Sequence, residues 1–78
     1  MAYVTSVEPD NHEVRSLHPT QVVCKVIVAE CDGTHLVQLN TYGSNDRQVP
    51  GKLSQTLQFD ETSGRQLRDI LIREFGSD

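Results

Sequence analysis

The most regular apolar pattern in the chain runs from residue 22 to residue 42, on either side of the pair Asp32-Gly33. An Asp-Gly pair between β-branched runs is the signature of a two-residue type I′ hairpin turn, in which both central residues need φ > 0. With Asp32 and Gly33 as the loop, Cys31 opposes Thr34, and Val28, Val26 and Cys24 oppose Val37, Leu39 and Thr41. Residues directly opposite share a face. Val22, Cys24, Val26, Val28, Val37 and Leu39 therefore form one apolar side. Val23, Lys25, Ile27, Ala29, Leu36, Gln38, Asn40 and Tyr42 form the other, and a one-residue slip would mix the two sets.

After Tyr42 the segment 43–51 is rich in turn formers and reads as a loop. A third strand is expected from about Lys52 to Phe59. There Leu53, Leu57 and Phe59 lie on the apolar side and alternate with Ser54, Thr56 and Gln58, and Gln55 is a polar intruder on the apolar side. Asp60 suits an N-cap, Glu61 suits the positive end of a helix dipole, and Gly76 suits the C′ position, so a helix is predicted over 61–75. Its apolar stripe is Leu67, Ile70, Leu71 and Phe75. Glu61–Arg65, Arg65–Asp69 and Asp69–Arg73 are (i, i+4) pairs of opposite charge, each contributing about 0.2–0.5 kcal/mol. Gly64 costs about 1 kcal/mol relative to Ala in a helix interior, and it is read as a close approach of helix to sheet.

Residues 1–20 are weakly periodic and carry Pro9 and Pro19. They read as an N-terminal arm with at most one edge strand, over Tyr3–Val7, and Glu8-Pro9-Asp10-Asn11 as a turn. The expected fold is α+β: an antiparallel β-meander of three to four strands closed by one C-terminal α-helix, in a single domain over 21–78.

Composition narrows this picture. The chain has 78 residues, 36% hydrophobic, with Tyr3, Tyr42, Phe59 and Phe75 as its aromatics and no Trp. Such a core is marginal, which favours a homodimer covering the helix or the outer sheet face. No stretch approaches the roughly 18 apolar residues of a membrane helix, and no basic segment with an apolar run suggests secretion. The expected compartment is the cytoplasm. Cys24 and Cys31 are too few for a disulfide framework, and their odd spacing puts them on opposite faces of one strand. The net charge of −4 has the wrong overall sign for a strong nucleic-acid binder. Its distribution is uneven: residues 1–43 hold two basic groups against five acidic ones, and residues 44–78 hold five against six.

Catalytic chemistry finds little support. No Gly-rich phosphate loop joins a strand to a helix, and Ser44 and Ser54 have no local base. His35 opposes Glu30 in the hairpin register, where a strand-end charge pair explains it. Cys31 and His35 offer two metal ligands, but a zinc site needs three or four, and only His12, His18 or Asp32 could complete the set. No metal and no cofactor are expected. The second sheet face offers Lys25, Gln38, Asn40, Tyr42, Ser54, Thr56 and Gln58. An ordinary solvated face accounts for these polar groups, but not for Val23, Ile27, Ala29 and Leu36 beside them. The arm, a second subunit or a ligand is expected to cover that face.

The stretch Leu39-Asn40-Thr41-Tyr42-Gly43-Ser44, followed by Arg47, Pro50-Gly51-Lys52 and Ser54-Gln55-Thr56-Leu57-Gln58, resembles a group of small bacterial and phage proteins. These share a T-Y-G-S…R…P-G-K-x-S-Q signature. Some carry names borrowed from methionyl-tRNA formyltransferase, but the chain is far too short for that enzyme's catalytic domain. A weaker resemblance is to the transcriptional coactivator family called positive cofactor four, in which a strand ends in an aromatic, a loop in Pro-Gly-basic, and a further strand leads to a capped helix. That resemblance implies a dimer formed through the C-terminal helix and single-stranded DNA on the curved sheet. It would assign backbone contacts to Arg47 and Lys52 and base stacking to Tyr42. The chain departs from the pattern in its acidity, its few aromatics, and Leu53 where a second basic residue would follow Lys52.

The sequence therefore favours a non-catalytic module binding single-stranded nucleic acid through Lys25, Gln38, Asn40, Tyr42, Arg47, Lys52, Ser54 and Thr56, on the outer sheet face and the 43–52 loop. The rival reading is a protein-interaction module, such as an accessory or inhibitor protein of a phage or mobile element, that docks a protein partner on its sheet face or an open strand edge.

Overall fold

In the computed structural model, which describes residues 1–43 and 52–78, Asp32 has φ 52° and Gly33 has φ 79°. Two successive positive φ values are the type I′ turn, and the hairpin around it has the expected register. Strands β2 (Val23–Cys31) and β3 (Thr34–Tyr42) pair antiparallel from Cys31↔Thr34 to Val23↔Tyr42. Strand β4 (Leu53–Phe59) pairs antiparallel with β3, and helix α1 (Glu61–Phe75) follows.

Two departures from a plain meander matter. First, the N-terminal strand β1 is Ala2–Val4, and it lies parallel to β4, so the four-stranded sheet is mixed, in the order β1-β4-β3-β2. A parallel pair needs a long connection, and here the β2–β3 hairpin lies between the two strands in sequence. The segment 5–22 then links one edge of the sheet to the other.

Second, the β3–β4 register shifts. Thr41 opposes Gln55, but Tyr42 opposes Leu53. Ser54 is thus the extra residue of a β-bulge, and its hydroxyl bonds the Thr41 hydroxyl at 2.9 Å and the Thr41 carbonyl at 3.1 Å. The bulge carries Leu53 to the face of Tyr42, away from the apolar side that plain alternation predicts.

The helix begins where its cap chemistry dictates. Asp60 Oδ1 accepts from the Ser63 backbone N–H at 3.0 Å, and Ser63 Oγ accepts from the Asp60 N–H at 3.2 Å, a reciprocal capping box. Ser63 is fully buried. Tyr3 Oη donates to Asp60 Oδ2 at 2.6 Å, which ties β1 to the cap. That bond, followed by the Ser63 N–H bond, holds the Asp60 carboxyl below its ordinary value of 3.8, and the same bond raises the Tyr3 hydroxyl. The cap is therefore at full strength above the ordinary carboxylate range and weakens as pH falls below it. The helix ends with Gly76 at φ 84°, its N–H on the Ile72 carbonyl at 2.8 Å. Of the three expected (i, i+4) ion pairs, Glu61–Arg65 is present at 2.9 Å, while Asp69 is engaged by Arg68 and Arg73 by Glu74.

Burial does not follow the expected division into core face and wet face. The buried strand residues are Leu36, Asn40, Thr56 and Phe59, three of them on the side read as outer. On the opposite side Val26 and Val28 are 60% and 66% exposed. The physical reason is coverage. The helix makes its main strand contacts with β3 and β4, and the apolar residues of β2 stay largely uncovered. Leu67 and Ile70 are half-buried, but Leu71 and Phe75 are exposed, which shortens the working part of the stripe.

Two glycines should respond in opposite directions. Gly33→Val should destabilise the domain by about 1–3 kcal/mol, because a β-branched residue is strained at positive φ. Gly64 does not mark a tight approach: a Cβ there would lie 3.9 Å from Phe59 Cβ, an ordinary contact. Gly64→Ala should therefore stabilise by up to about 1 kcal/mol. Thermal melts of both variants check the pair of signs.

Candidate binding surface

The polar residues of the outer face are tied to one another. The β3–β4 register sets Gln38 against Gln58 and Asn40 against Thr56. Gln58 Nε2 donates to Gln38 Oε1 at 2.9 Å, Gln38 Nε2 donates to Asn40 Oδ1 at 3.0 Å, and Thr56 Oγ1 donates to the same Oδ1 at 2.9 Å. Asn40 is 4% exposed and Thr56 3%. Among the described residues no buried side-chain nitrogen or oxygen lacks a partner. A buried amide–hydroxyl ladder of this kind holds two strands in register, and it leaves Asn40 and Thr56 little surface to offer a ligand.

The end of the face at Tyr42 and Lys52 is different. Lys25 opposes Asn40, one step diagonally from Tyr42, and its ammonium sits 5.0 Å from the Tyr42 ring centroid. This is a cation–π contact within reach of a cross-strand diagonal. Tyr42 is half-buried and Lys25 is exposed. Lys52, also exposed, precedes the Leu53 that pairs with Tyr42, and its carbonyl accepts from the Gly43 N–H at 2.9 Å. The two cations and the ring thus belong to one end of the sheet. Ser54, held at the bulge by Thr41, is not aligned with them. Arg47 lies outside the described residues.

A second feature had no precedent in the sequence pattern. Val37, Leu39 and Phe59 on β3 and β4 face Gly64, Leu67 and Leu71 across an open apolar groove of about 620 Å³. Alternation pairs these residues on one side, but nothing in the sequence says that the helix leaves a gap there. Among the described residues no cluster of three or more His, Cys, Asp or Glu could hold a metal ion. Cys24 and Cys31 are free and exposed.

The ladder has a measurable signature. Asn40→Ala removes an acceptor used by two donors and leaves the Thr56 hydroxyl and the Gln38 amide short of a partner, at a cost of about 1–3 kcal/mol. Thr56→Val removes one donor and should cost less. Urea midpoints, compared at constant m-value, give both numbers.

No protein-family model matches the chain, and no curated protein or solved structure shows significant similarity to it.

Proposed function

We propose that this chain is a small non-catalytic module that binds single-stranded nucleic acid at the Tyr42 and Lys52 end of its sheet. The supporting observation is the placement of the Lys25 ammonium over the Tyr42 ring, with Lys52 beside the strand residue that pairs with Tyr42. Single-strand binders combine an aromatic platform with cations that track the backbone, because every base has a π-face and every nucleotide a phosphate. In this reading a base stacks on the Tyr42 ring face away from Lys25, while Lys25, Lys52 and Arg47 neutralise phosphates. Gln38, Asn40 and Thr56 hold the platform in register and do not read bases. The setting is a reducing cytoplasm, in keeping with two exposed free cysteines.

The second reading, a protein-interaction module, is favoured by the apolar groove between the sheet and the helix and by the net charge of −4. An amphipathic segment could lay its apolar side into such a groove.

The variants separate the two readings by kind. In fluorescence-anisotropy titrations with a labelled oligonucleotide at two salt concentrations, Arg47→Ala and Lys52→Ala should weaken binding to any strand. Each should also reduce the salt slope by about 0.7. Tyr42→Ala should lose about 1–3 kcal/mol with little change in slope, because stacking releases no counterions. A folded wild-type chain with no salt-sensitive binding up to about 100 µM, the weak end of non-specific affinities, overturns the nucleic-acid reading and leaves the groove as the functional surface.

A further inference from the structure

We propose that strand β2 is an interface between two copies of this chain, paired antiparallel so that the two four-stranded sheets become one eight-stranded sheet. This inference is independent of what the Tyr42 and Lys52 end binds.

Among the described residues strand β2 is the outermost strand of the sheet, with β3 on one side only. It is nine residues long, and its Val23, Val26, Ile27 and Val28 are between 47% and 66% exposed. A long apolar edge strand is a template for a further strand, and proteins that stay monomeric blunt such edges with charges, prolines or short length. Here a lone Lys25 stands within Val23–Ala29. The domain also has reason to associate: among the described residues only Leu36 and Phe59 are buried apolar side chains.

The hairpin geometry decides which backbone groups are available. In a two-residue turn the flanking pair, Cys31 and Thr34, is hydrogen-bonded, and bonded pairs then alternate along the ladder. The odd-numbered residues of β2 therefore bond β3. Cys24, Val26, Val28 and Glu30 direct their N–H and C=O groups to the open edge.

Symmetry then restricts the register. A two-fold axis normal to the sheet keeps each face on its own side, so residues of equal parity oppose one another. One register pairs the whole of Val23–Cys31. It puts Ile27 opposite Ile27 of the second copy on the axis, Val26 opposite Val28, Cys24 opposite Glu30, Lys25 opposite Ala29 and Val23 opposite Cys31. All four outward-facing residues then join bonded pairs, and the four exposed valines of the two copies meet on one face. No like charges oppose. A shift in either direction leaves strand ends unpaired and sets Lys25 against Ile27, or Glu30 against Val26. The edge is complementary to itself in one register, which is why a second copy is assigned here and not a different partner.

Sedimentation equilibrium of the full chain at micromolar concentration should give twice the 8.7 kDa chain mass. Single cysteines then locate the interface. In a Cys24→Ser, Cys31→Ser background, Ile27→Cys should form a covalent dimer under mild oxidation, since opposed residues in a non-bonded pair lie about 4.5 Å apart, within disulfide reach. Val26→Cys and Val28→Cys should not self-link but should link to each other when mixed. A monomer mass for the wild-type chain overturns the proposal. So does a dimer that links through Phe75→Cys on the helix, or through position 26 or 28 with itself, while Ile27→Cys stays reduced.

Discussion

Two neighbouring residues with positive φ, Asp32 and Gly33, determine most of what this domain is. The tight turn leaves β2 and β3 one register. From that register follow the two faces, the diagonal that brings Lys25 to Tyr42, and the parity by which β2 aims its unpaired backbone outward. Type I′ geometry is selective because its twist matches that of the strands it joins. Register errors are costly here because a slip of one residue would exchange every valine of β2 between faces.

Given that hairpin, the unusual feature is how little the rest of the chain covers. The helix is well bounded, with a reciprocal cap at Asp60 and Ser63 and a left-handed glycine at its end. Its main strand contacts are with β3 and β4, and its Gln66 also accepts from the Val7 N–H at 2.7 Å. The core is correspondingly small, and specificity in the middle of the sheet comes from polar contacts. Asn40, Thr56, Gln38 and Gln58 are more than solvated edges of a binding face. They form the bridge between β3 and β4 where a larger protein would place leucines, and low local dielectric strengthens such a bridge only while every member is satisfied.

Signals confined to a few residues were legible in the sequence. Asp32-Gly33 yields the hairpin pair by pair, and Asp60 with Gly76 yields the helix to the residue. What escaped depends on longer-range arrangements. The β3–β4 register is separated from the hairpin by the 43–51 segment, so no turn rule pins it, and the bulge at Ser54 that transfers Leu53 to the other face leaves no mark in the alternation. The parallel docking of Ala2–Val4 on β4 is a contact between distant residues with no periodic signature in three positions. Alternation also says which residues share a face but not which face is covered. That is why Val26 and Val28 are exposed while Asn40 and Thr56 are buried. The Ser63 half of the capping box went unread because serine at that position is less common than glutamate or glutamine.

The bond from Tyr3 to Asp60 spans 57 positions of sequence. Its acceptor is the same carboxylate that starts the helix. Strand β1 needs β4 as its template and Asp60 as its anchor, and neither exists until the meander has formed. Closing so long a loop carries an entropic cost that only finished local structure can offset. In a chain made from its N-terminus, the residues of β1 emerge before every partner they will have and wait for nearly all of the others. The sheet is therefore expected to assemble in the order of synthesis from β2 through β3 to β4, with β1 alone out of turn: made first and placed last.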